Sequence, residues 1–263
     1  ITLLGTAVIV GARYRTKVTS NTASVAAAAA AAESAINLGI MIALTKTPTK
    51  PVDFPLRCRL PAGESIIVKP TNFANRLVLP ILQASPNSRA VLLYSEVRPL
   101  LRSILRRGMW GRIWGRKLFQ SAASWSPLDF GFSEEEIFIL TDLQALGLGW
   151  LMQMQHLEEV SRRLGDRVMM IDSADFLADP ARALQRTSVL FQLDLDESLI
   201  SQIVNGPTFA RHSKFSDQDY GNKERAADQN AAEAAHSEEL EMVVKWVEAV
   251  AAHLKVDLKP ASA

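Results

Sequence analysis

Polar side chains that favour anions follow two short apolar segments in the middle of the chain. The segment SIIV is followed by KPTN, which contributes Lys69 and Asn72, and the segment RAVLLY is followed by SEVR, which begins at Ser95. Each polar turn precedes a helix-like run, so the spacing is that of a β-α-β-α unit and predicts two neighbouring parallel strands. Ligands of open parallel sheets bind at the carboxyl ends of the strands, where both turns would meet. A lysine, an amide and hydroxyls at this edge, with Glu96 as the one carboxylate of the two turns, favour an anion as the ligand.

Arginines recur at helical spacing after the second apolar segment. Arg98, Arg102 and Arg106 are four residues apart, which places them on one side of the predicted helix. A proline suits the first turn of that helix, whose free N–H groups, together with Ser95 or Ser103, would attract phosphate or sulfate. A basic face that only meets solvent explains the same spacing without a ligand. The sequence leaves both interpretations open.

Aromatic and basic residues alternate directly after this stripe. Trp110 and Trp114 are four residues apart, among Arg112, Arg116 and Lys117. Such interleaving could bind a sugar or a nucleic-acid strand. Tryptophans at this spacing are more often anchors in a core, and we favour that interpretation and expect no nucleic-acid partner.

A second basic cluster lies far along the chain. The segment GPTFARHSK carries Arg211 and Lys214 after a proline turn, and polar residues continue to Asn230. The stretch 205–230 is too polar to form its own core and predicts a surface loop or flap. Folded over the sheet edge, its cations would clamp a phosphate from the other side.

Composition limits the class of protein. The 263 residues are 48% hydrophobic with a formal net charge of +1, which suits a single domain over 1–263 and argues against a generally basic nucleic-acid coat. Cys58, the one cysteine, excludes a multi-cysteine zinc site and fits a reducing, cytoplasmic compartment. No His, Cys, Asp or Glu set has metal-ligand spacing, so we expect no metal. The apolar segment 1–11 is too short to be a membrane span.

The remaining patterns predict alternating strands and helices. This alternation indicates an α/β three-layer sandwich around a central, mainly parallel sheet. The expected elements are a helix in the alanine-rich run 23–44, a proline-rich loop over 45–61, a long helix over 133–164 interrupted near Gly147 and Gly149 and ended by Gly165, a third strand over 167–171, a helix from Pro180 to about Leu190, and a closing amphipathic helix over 240–254.

The order of these elements resembles the carboxyl-terminal two-thirds of a sulfotransferase. The resemblance covers Ser65 to about Lys214 and rests on VKPTN, LQASPNSR, LLYSEVRPLLRSIL and RVMMIDSADFLADPARALQRTSVLFQLDLDES, with GPTFARHSK in the place of the family's basic loop over the nucleotide. It implies a P-loop NTPase-like α/β fold that uses 3′-phosphoadenosine 5′-phosphosulfate (PAPS). It also implies transfer of the sulfuryl group to a hydroxyl or amine of a small-molecule or carbohydrate acceptor.

The resemblance also implies roles for individual residues. Lys69 matches the residue beside the transferring sulfuryl group, and Ser103 matches the serine that binds the 3′-phosphate of the nucleotide. Arg211 and Lys214 correspond to the basic loop that closes on that phosphate. Fixed cations and N–H donors of this kind stabilise the charge that develops on the oxygens during sulfuryl transfer.

Three positions depart from the family's pattern. The amino-terminal phosphate loop is not found, and one explanation is that the loop and the first strand lie upstream of Ile1. Ser95 stands where the family has an arginine, and Arg98, one helical turn later, could replace it. Asn72 or Phe73 stands where a histidine base is expected.

Candidate replacements for that base are few. The four histidines, at positions 156, 212, 236 and 253, are better explained as structural or exposed side chains. Asp172 and Asp175 follow the third apolar strand and could act as a base, although such acids more often cap the following turn.

Two classes of function remain open from the sequence. One is a PAPS-dependent sulfotransferase, and the other is a non-catalytic relative that binds an anionic ligand or a protein partner. A P-loop kinase fits less well because no aspartate-rich magnesium site is evident.

Overall fold

Four strands form one mixed sheet in the order β2-β1-β3-β4. They are seen in a computed structural model that describes residues 39–45, 65–68, 72–206, 209 and 222–258. The strands are β1 (Gly39–Thr45), β2 (Ser65–Val68), β3 (Ser88–Tyr94) and β4 (Val168–Asp172). The chain is therefore an α/β protein, as the sequence predicts, although most of the described residues are helical.

The expectation that the two apolar segments are neighbouring parallel strands is wrong. β1 lies between β2 and β3 and pairs antiparallel with both. The described sheet therefore has two antiparallel pairings and one parallel pairing, so it is not mainly parallel. β2 and β3 still run in the same direction and toward the same edge. Val68 and Ala90 both pair with Ile42, so β2 ends roughly 13 Å before the level at which β3 ends.

The structure corrects the prediction for the end of the alanine-rich run. Residues 39–44 belong to strand β1, whereas the sequence predicts a helix through Leu44. The composition changes here from alanine to GIMIALT, whose isoleucines favour a strand, and the helical propensity of the preceding alanines does not extend this far. Residues 23–38 and the proline-rich segment 46–61 lie outside the described ranges.

The third apolar segment is a strand, as predicted. β4 pairs in parallel with β3, with Ala90 opposite Val168 and Tyr94 opposite Asp172. Side chains alternate between the two faces of this pair because a strand has a period of two. The carboxyl ends of both strands are thus brought together at one edge, next to the start of the helix that follows each of them.

Helices follow the strands on both faces of this parallel pair. A 3₁₀ helix, Asn72–Leu77, leads into the first α-helix. The α-helices in the described ranges are α1 (Val78–Ala84), α2 (Val97–Leu105), α3 (Gly108–Ala123), α4 (Glu134–Ile139), α5 (Asp142–Leu164), α6 (Ser173–Ala178), α7 (Pro180–Phe191), α8 (Glu197–Val204) and α9 (Asn222–Leu254).

Two hydrophobic clusters cover the two faces of the β3–β4 pair. On one face, Leu92 and Met170 pack with the buried residues of α2, α3, α5 and α9. On the other face, Leu93 and Ile171 pack with α6, α7 and α8. The first cluster is the larger. Helix α5 supplies much of it, since every residue of α5 from Leu143 to Met154 except Gln144 is buried.

The helix predicted over 133–164 is two helices. Ser133 caps α4 and Thr141 caps α5, each in a capping box with the residue three positions later. The helical pattern breaks at Leu140, whose backbone is extended (ψ 137°). Gly165, with φ 52°, ends α5 as predicted. A second capping box inside an apolar periodic run is the signal that identifies this break.

The closing helix is longer than the sequence predicts. α9 begins at Asn222 rather than near Leu240. The prediction of a surface loop or flap over 205–230 is therefore wrong for residues 222–230, which are helical. This stretch is polar but rich in alanine, and its helix propensity outweighs its lack of an apolar face. A kink at His236 (φ −135°) divides the helix.

Gly147 and Gly149 do not interrupt α5, contrary to the prediction. They allow other elements to approach its backbone. A methyl group at Gly147 would lie 2.4 Å from Cγ2 of Val247 in α9, and one at Gly149 would lie 3.0 Å from Cα of Phe119 in α3. α5 is thus held closely between α3 and α9.

Gly147→Ala tests this close approach. In an open helix the change would gain about 1 kcal/mol of helix propensity, whereas here the overlap with Val247 should cost about 1–3 kcal/mol of unfolding free energy. Urea unfolding of the single variants and of Gly147→Ala with Val247→Ala would measure the coupling. We expect Gly147→Ala to be much less destabilising when Val247 is alanine. A stabilising Gly147→Ala single variant would contradict the packing.

Candidate functional site

The candidate site lies at the carboxyl edge of the sheet, where β3 and β4 end side by side and toward which β2 runs. The strand that precedes Lys69, β2, runs toward this edge, because β2 and β3 are both antiparallel to β1. Lys69 itself lies outside the described residues, as do Arg211 and Lys214. The described site residues predicted from the sequence are therefore Asn72, Ser95, Arg98 and Ser103.

Ser95 is the most unusual polar residue at this edge. It follows the last residue of β3, and only 3% of its surface is exposed. Its hydroxyl has no hydrogen-bond partner among the described residues, while its carbonyl oxygen accepts a hydrogen bond from Nε1 of Trp150 at 2.8 Å. A buried hydroxyl without a partner is costly, and such groups in native proteins are commonly satisfied by water or a ligand.

Helix α2 begins directly after this hydroxyl. Its N-cap residue, Glu96, makes no side-chain capping hydrogen bond, and its first turn contains no acidic residue. The first N–H groups of a helix have no partner within the helix and carry a partial positive charge. Ser103 lies later in the same helix and is half-buried. At a rise of 1.5 Å per residue, Ser95 and Ser103 are on the order of 10 Å apart.

Arg98 is engaged by carboxylates of the last helix. Its guanidinium forms ion pairs with Glu233 and Glu241 of α9, and Arg102 reaches Glu233 with a distance of 3.4 Å between Nη1 and Oε2. The stripe is therefore not simply a solvated basic face, because two of its arginines help to hold α9 against α2. A ligand that used Arg98 would share it with these carboxylates or displace them.

Strand β4 and the helix that follows it add acidic residues to this edge, which is therefore more acidic than the turns KPTN and SEVR alone indicate. Asp172 ends β4 opposite Tyr94, and its Oδ1 accepts a hydrogen bond from the Ala174 amide at 2.6 Å, so it caps α6. Burial raises the pKa of Asp172, and the negative charges of Asp175 and Glu96 raise it further. This residue is an N-cap, as the sequence anticipates for such an acid, and it is also a carboxyl group with a raised proton affinity.

Tyr94 is a site neighbour that the sequence analysis missed. Burial raises the pKa of its phenol to about 12, and the carboxylates of Asp172, Asp175, Glu96 and Asp257 add to the shift. Asp257 follows α9, so four acidic residues from three parts of the chain affect one phenol. Only the parallel pairing of β3 with β4 and the return of α9 bring them together, and no local pattern reveals this.

The 3₁₀ helix that begins at Asn72 contacts α5 through Asn75. Asn72 is buried, with 8% of its surface exposed. One turn later, Nδ2 of Asn75 donates to Oε1 of Gln153 at 2.8 Å. Nε2 of His156 lies 3.0 Å from the Asn75 carbonyl oxygen, so it is the donor, and burial lowers the pKa of this histidine.

The two tryptophans of α3 differ in their surroundings. Trp114 is partly buried and meets Phe73 edge to face, with ring centroids 6.2 Å apart. Trp110 is 76% exposed, so the interpretation of both residues as core anchors is wrong for Trp110. The intervening Arg112 forms a forked ion pair with Glu239, at 3.0 and 3.1 Å.

Neither a family model, nor a curated protein, nor a solved structure matches the chain. Within the part of the chain that the structure describes, no three His, Cys, Asp or Glu side chains are arranged to hold a metal ion. None of the helices in these ranges is both long and apolar enough to cross a membrane.

Asp172→Asn tests the electrostatics of this edge. A raised folded-state pKa means that the ionised carboxylate destabilises the fold above that pKa and ceases to do so below the ordinary pKa of an aspartate. Asparagine keeps an oxygen that can accept from Ala174 but carries no charge. We therefore expect Asp172→Asn to raise the unfolding free energy at pH 7, with an advantage that shrinks on acidification. Urea titrations at several pH values would measure it.

The exposed Asp194, between α7 and α8, offers the matched control. Asp194→Asn should leave the stability nearly unchanged, because its side chain is exposed. A loss of stability at pH 7 in Asp172→Asn, equal to that expected for a broken cap, would show that Asp172 acts as a cap alone.

Proposed function

We propose that this protein is a sulfotransferase-type enzyme that binds PAPS at the carboxyl edge of its sheet and transfers the sulfuryl group to a hydroxyl or amine acceptor. The observation that carries the proposal is the buried Ser95 hydroxyl, which has no hydrogen-bond partner within the described ranges and lies between the end of β3 and the start of α2. The ordered resemblance in the sequence supplies the identity of the ligand. The small-molecule or carbohydrate nature of the acceptor is part of the same proposal.

The start of α2 suits one negatively charged group of such a ligand. The amides of Val97 and Arg98 are the first donors of the helix, and the side chain of the N-cap residue Glu96 does not cap them. The Ser95 hydroxyl precedes them directly. Donors of this kind favour phosphate or sulfate because they combine hydrogen bonds with the partial charge of the helix terminus.

The spacing of the two serines suits a ligand with two anionic groups. Ser95, just before α2, and Ser103, within it, are on the order of 10 Å apart, too far for one phosphate to reach both hydroxyls. PAPS carries a 3′-phosphate and a 5′-phosphosulfate on the same nucleotide, so separate groups could contact each serine. In this arrangement Ser103 holds the 3′-phosphate, as the resemblance implies.

The charges of the site require the three basic residues that lie outside the described ranges. Glu96, Asp172 and Asp175 act together on this edge, and three carboxylates would repel a polyanion. Lys69, Arg211 and Lys214 supply the cations that the proposal needs. In the proposed arrangement, Lys69 lies beside the transferring group, and the segment with Arg211 and Lys214 closes over the nucleotide.

The acidic edge also offers a base for the reaction. Transfer to a hydroxyl or amine requires removal of the acceptor proton, and a carboxylate with a raised pKa is better suited to this step than an ordinary one. Asp172 meets that requirement because burial raises its pKa. The proposed role of Asp172 would compensate for Asn72, which stands where the family's histidine is expected.

The finer description of the fold belongs to the same proposal. Helices on both faces of the β3–β4 pair, and strands β2 and β3 running in one direction, support a three-layer sandwich of the P-loop-like sulfotransferase type. The antiparallel β1 between them is a departure from a mainly parallel arrangement. We also propose the cytoplasm as the location, from the single cysteine.

A non-catalytic anion-binding relative is the second candidate. One observation in its favour is that Arg98, proposed to replace the arginine of the sulfotransferase family, forms ion pairs with Glu233 and Glu241. Another is that Asn72 stands where the family has a histidine base. Such a protein would bind the nucleotide or another anion and transfer nothing.

Calorimetric titration with adenosine 3′,5′-bisphosphate tests the proposal. We expect saturable binding that Ser95→Ala, Ser103→Ala and Arg211→Ala each weaken about tenfold or more, since a hydrogen bond to a charged group contributes about 1.5–3 kcal/mol. Ser198→Ala, at an exposed position of α8, is the matched control for replacing a helical serine and should bind normally.

Turnover of PAPS with a panel of hydroxyl and amine acceptors then separates the two candidates. Transfer that Asp172→Asn abolishes while nucleotide binding persists would support the enzyme with Asp172 as its base. Binding without transfer to any acceptor would support the non-catalytic candidate. Binding that none of the three substitutions weakens would remove the site assignment.

A further inference from the structure

An apolar surface rimmed by cations lies on α3 and the 3₁₀ helix, and the proposed sulfotransferase function does not use it. Met109 and Trp110, at the start of α3, are 69% and 76% exposed, and Ile113 extends the surface one turn further. Phe73 and Leu77 of the 3₁₀ helix are also exposed large hydrophobic residues. We call these five residues the apolar patch.

The patch is one continuous surface on two elements. Trp110 and Trp114 are four residues apart and therefore adjacent on α3. Trp114 meets Phe73 edge to face, which joins the exposed side of α3 to the 3₁₀ helix. Exposed apolar residues scattered singly are ordinary, whereas a contiguous group marks a binding surface.

The segment that carries the patch is strongly basic. From Asn72 to Leu128 the sequence contains one acidic residue, Glu96. Its basic residues over the same range are Arg76, Arg89, Arg98, Arg102, Arg106, Arg107, Arg112, Arg116 and Lys117. Several of them are neutralised, since Arg98, Arg102 and Arg112 pair with α9, and Arg116 pairs with Asp142.

Two cations beside the patch are left for an external partner. Arg76 lies between Phe73 and Leu77, and Lys117 lies one turn after Ile113 on α3; both are exposed. Neither has a carboxylate partner among the salt bridges of the described residues. A surface that combines exposed Trp, Met and Ile with uncompensated cations is complementary to a surface that is apolar inside and negatively charged outside.

We propose that this surface binds peripherally to anionic lipid bilayers. Amphipathic helices with aromatic and aliphatic side chains on one side and Lys or Arg beside them lie in the plane of the membrane interface. Tryptophan favours the headgroup level, where Trp110 would enter, while Arg76 and Lys117 meet the lipid phosphates and carboxylates. The exposed cations Arg76 and Lys117 favour a negatively charged lipid surface over a neutral apolar partner.

Co-sedimentation with vesicles tests the proposal on the whole chain. We expect binding to vesicles of phosphatidylcholine mixed with phosphatidylserine, weak binding to phosphatidylcholine alone, and loss of binding as salt rises. The double variant Met109→Ser with Trp110→Ser, and the double variant Arg76→Glu with Lys117→Glu, should each lower the partition coefficient about tenfold or more.

An equally exposed apolar pair provides the matched control. Phe138 and Ile139 of α4 are 83% and 73% exposed, but they follow Glu134, Glu135 and Glu136. Phe138→Ser with Ile139→Ser should leave vesicle binding unchanged. Circular dichroism and thermal melts of all variants should match those of the parent protein, because the substituted side chains are exposed.

Other occupants of the patch give different results. Equal binding to both kinds of vesicle would overturn the role of charge. No binding to either would overturn the proposal, and size-exclusion chromatography would then distinguish a second copy, if a dimer dissociates in the Met109 and Trp110 double variant. Neither result bears on nucleotide binding, which calorimetry measures separately.

Discussion

The close packing of α5 against its neighbours is the constraint on which the rest of the structure depends. At Gly147 the backbone of α5 meets Val247 of α9, and at Gly149 it meets the backbone of Phe119 in α3. One residue further, the indole of Trp150 donates to the carbonyl oxygen of Ser95. The position of the candidate site thus follows from helix packing. The two glycines allow α5 to lie close to α3 and α9, and α5 in turn holds the residue that follows β3 through the hydrogen bond of Trp150. Backbone-level contacts of this kind leave little room for repacking, because interiors are filled as densely as organic crystals.

Opposite charges divide the site into two regions. On the side of α2 that faces α9, Arg98 and Arg102 are matched by carboxylates of α9, so their charge holds two helices together. At the carboxyl edge, the buried Asp172 and its acidic neighbours act on the phenol of Tyr94. Between these regions lie the Ser95 hydroxyl and the open start of α2. An anion could bind there only if further cations outweigh the carboxylates, which is why the basic loop is central to the proposed function.

The sequence predicted the elements whose signals are local. The capping residues Ser133 and Asp172, the glycine that ends α5, and the proline that opens α7 are all recognisable within a few residues, and each appears where expected. The strand β4 was equally clear as a continuous apolar run. Glycine and proline restrict the backbone itself, so their meaning does not depend on distant partners.

The failures concern pairings between distant segments. The insertion of β1 between β2 and β3 depends on long-range hydrogen bonds that no local pattern encodes. Gly147 and Gly149 looked like helix breaks because the helices that pack against them come from elsewhere in the chain. Likewise, the sequence predicts that Arg98 is available to a ligand because Glu233 and Glu241, its ion-pair partners, are far away along the chain. The spacing of Trp110 from Trp114 suits a core, although Trp110 is exposed. The polar residues that follow the strands were recognisable from the sequence, whereas the distant residues that contact them were not.

A crystal structure of the protein with adenosine 3′,5′-bisphosphate would test the central claim most directly. The account predicts an anionic group of the nucleotide within hydrogen-bond distance of the Ser95 hydroxyl and the first amides of α2, with the second group near Ser103. A nucleotide bound at another edge of the sheet, or one whose anionic groups contact neither serine, would contradict it.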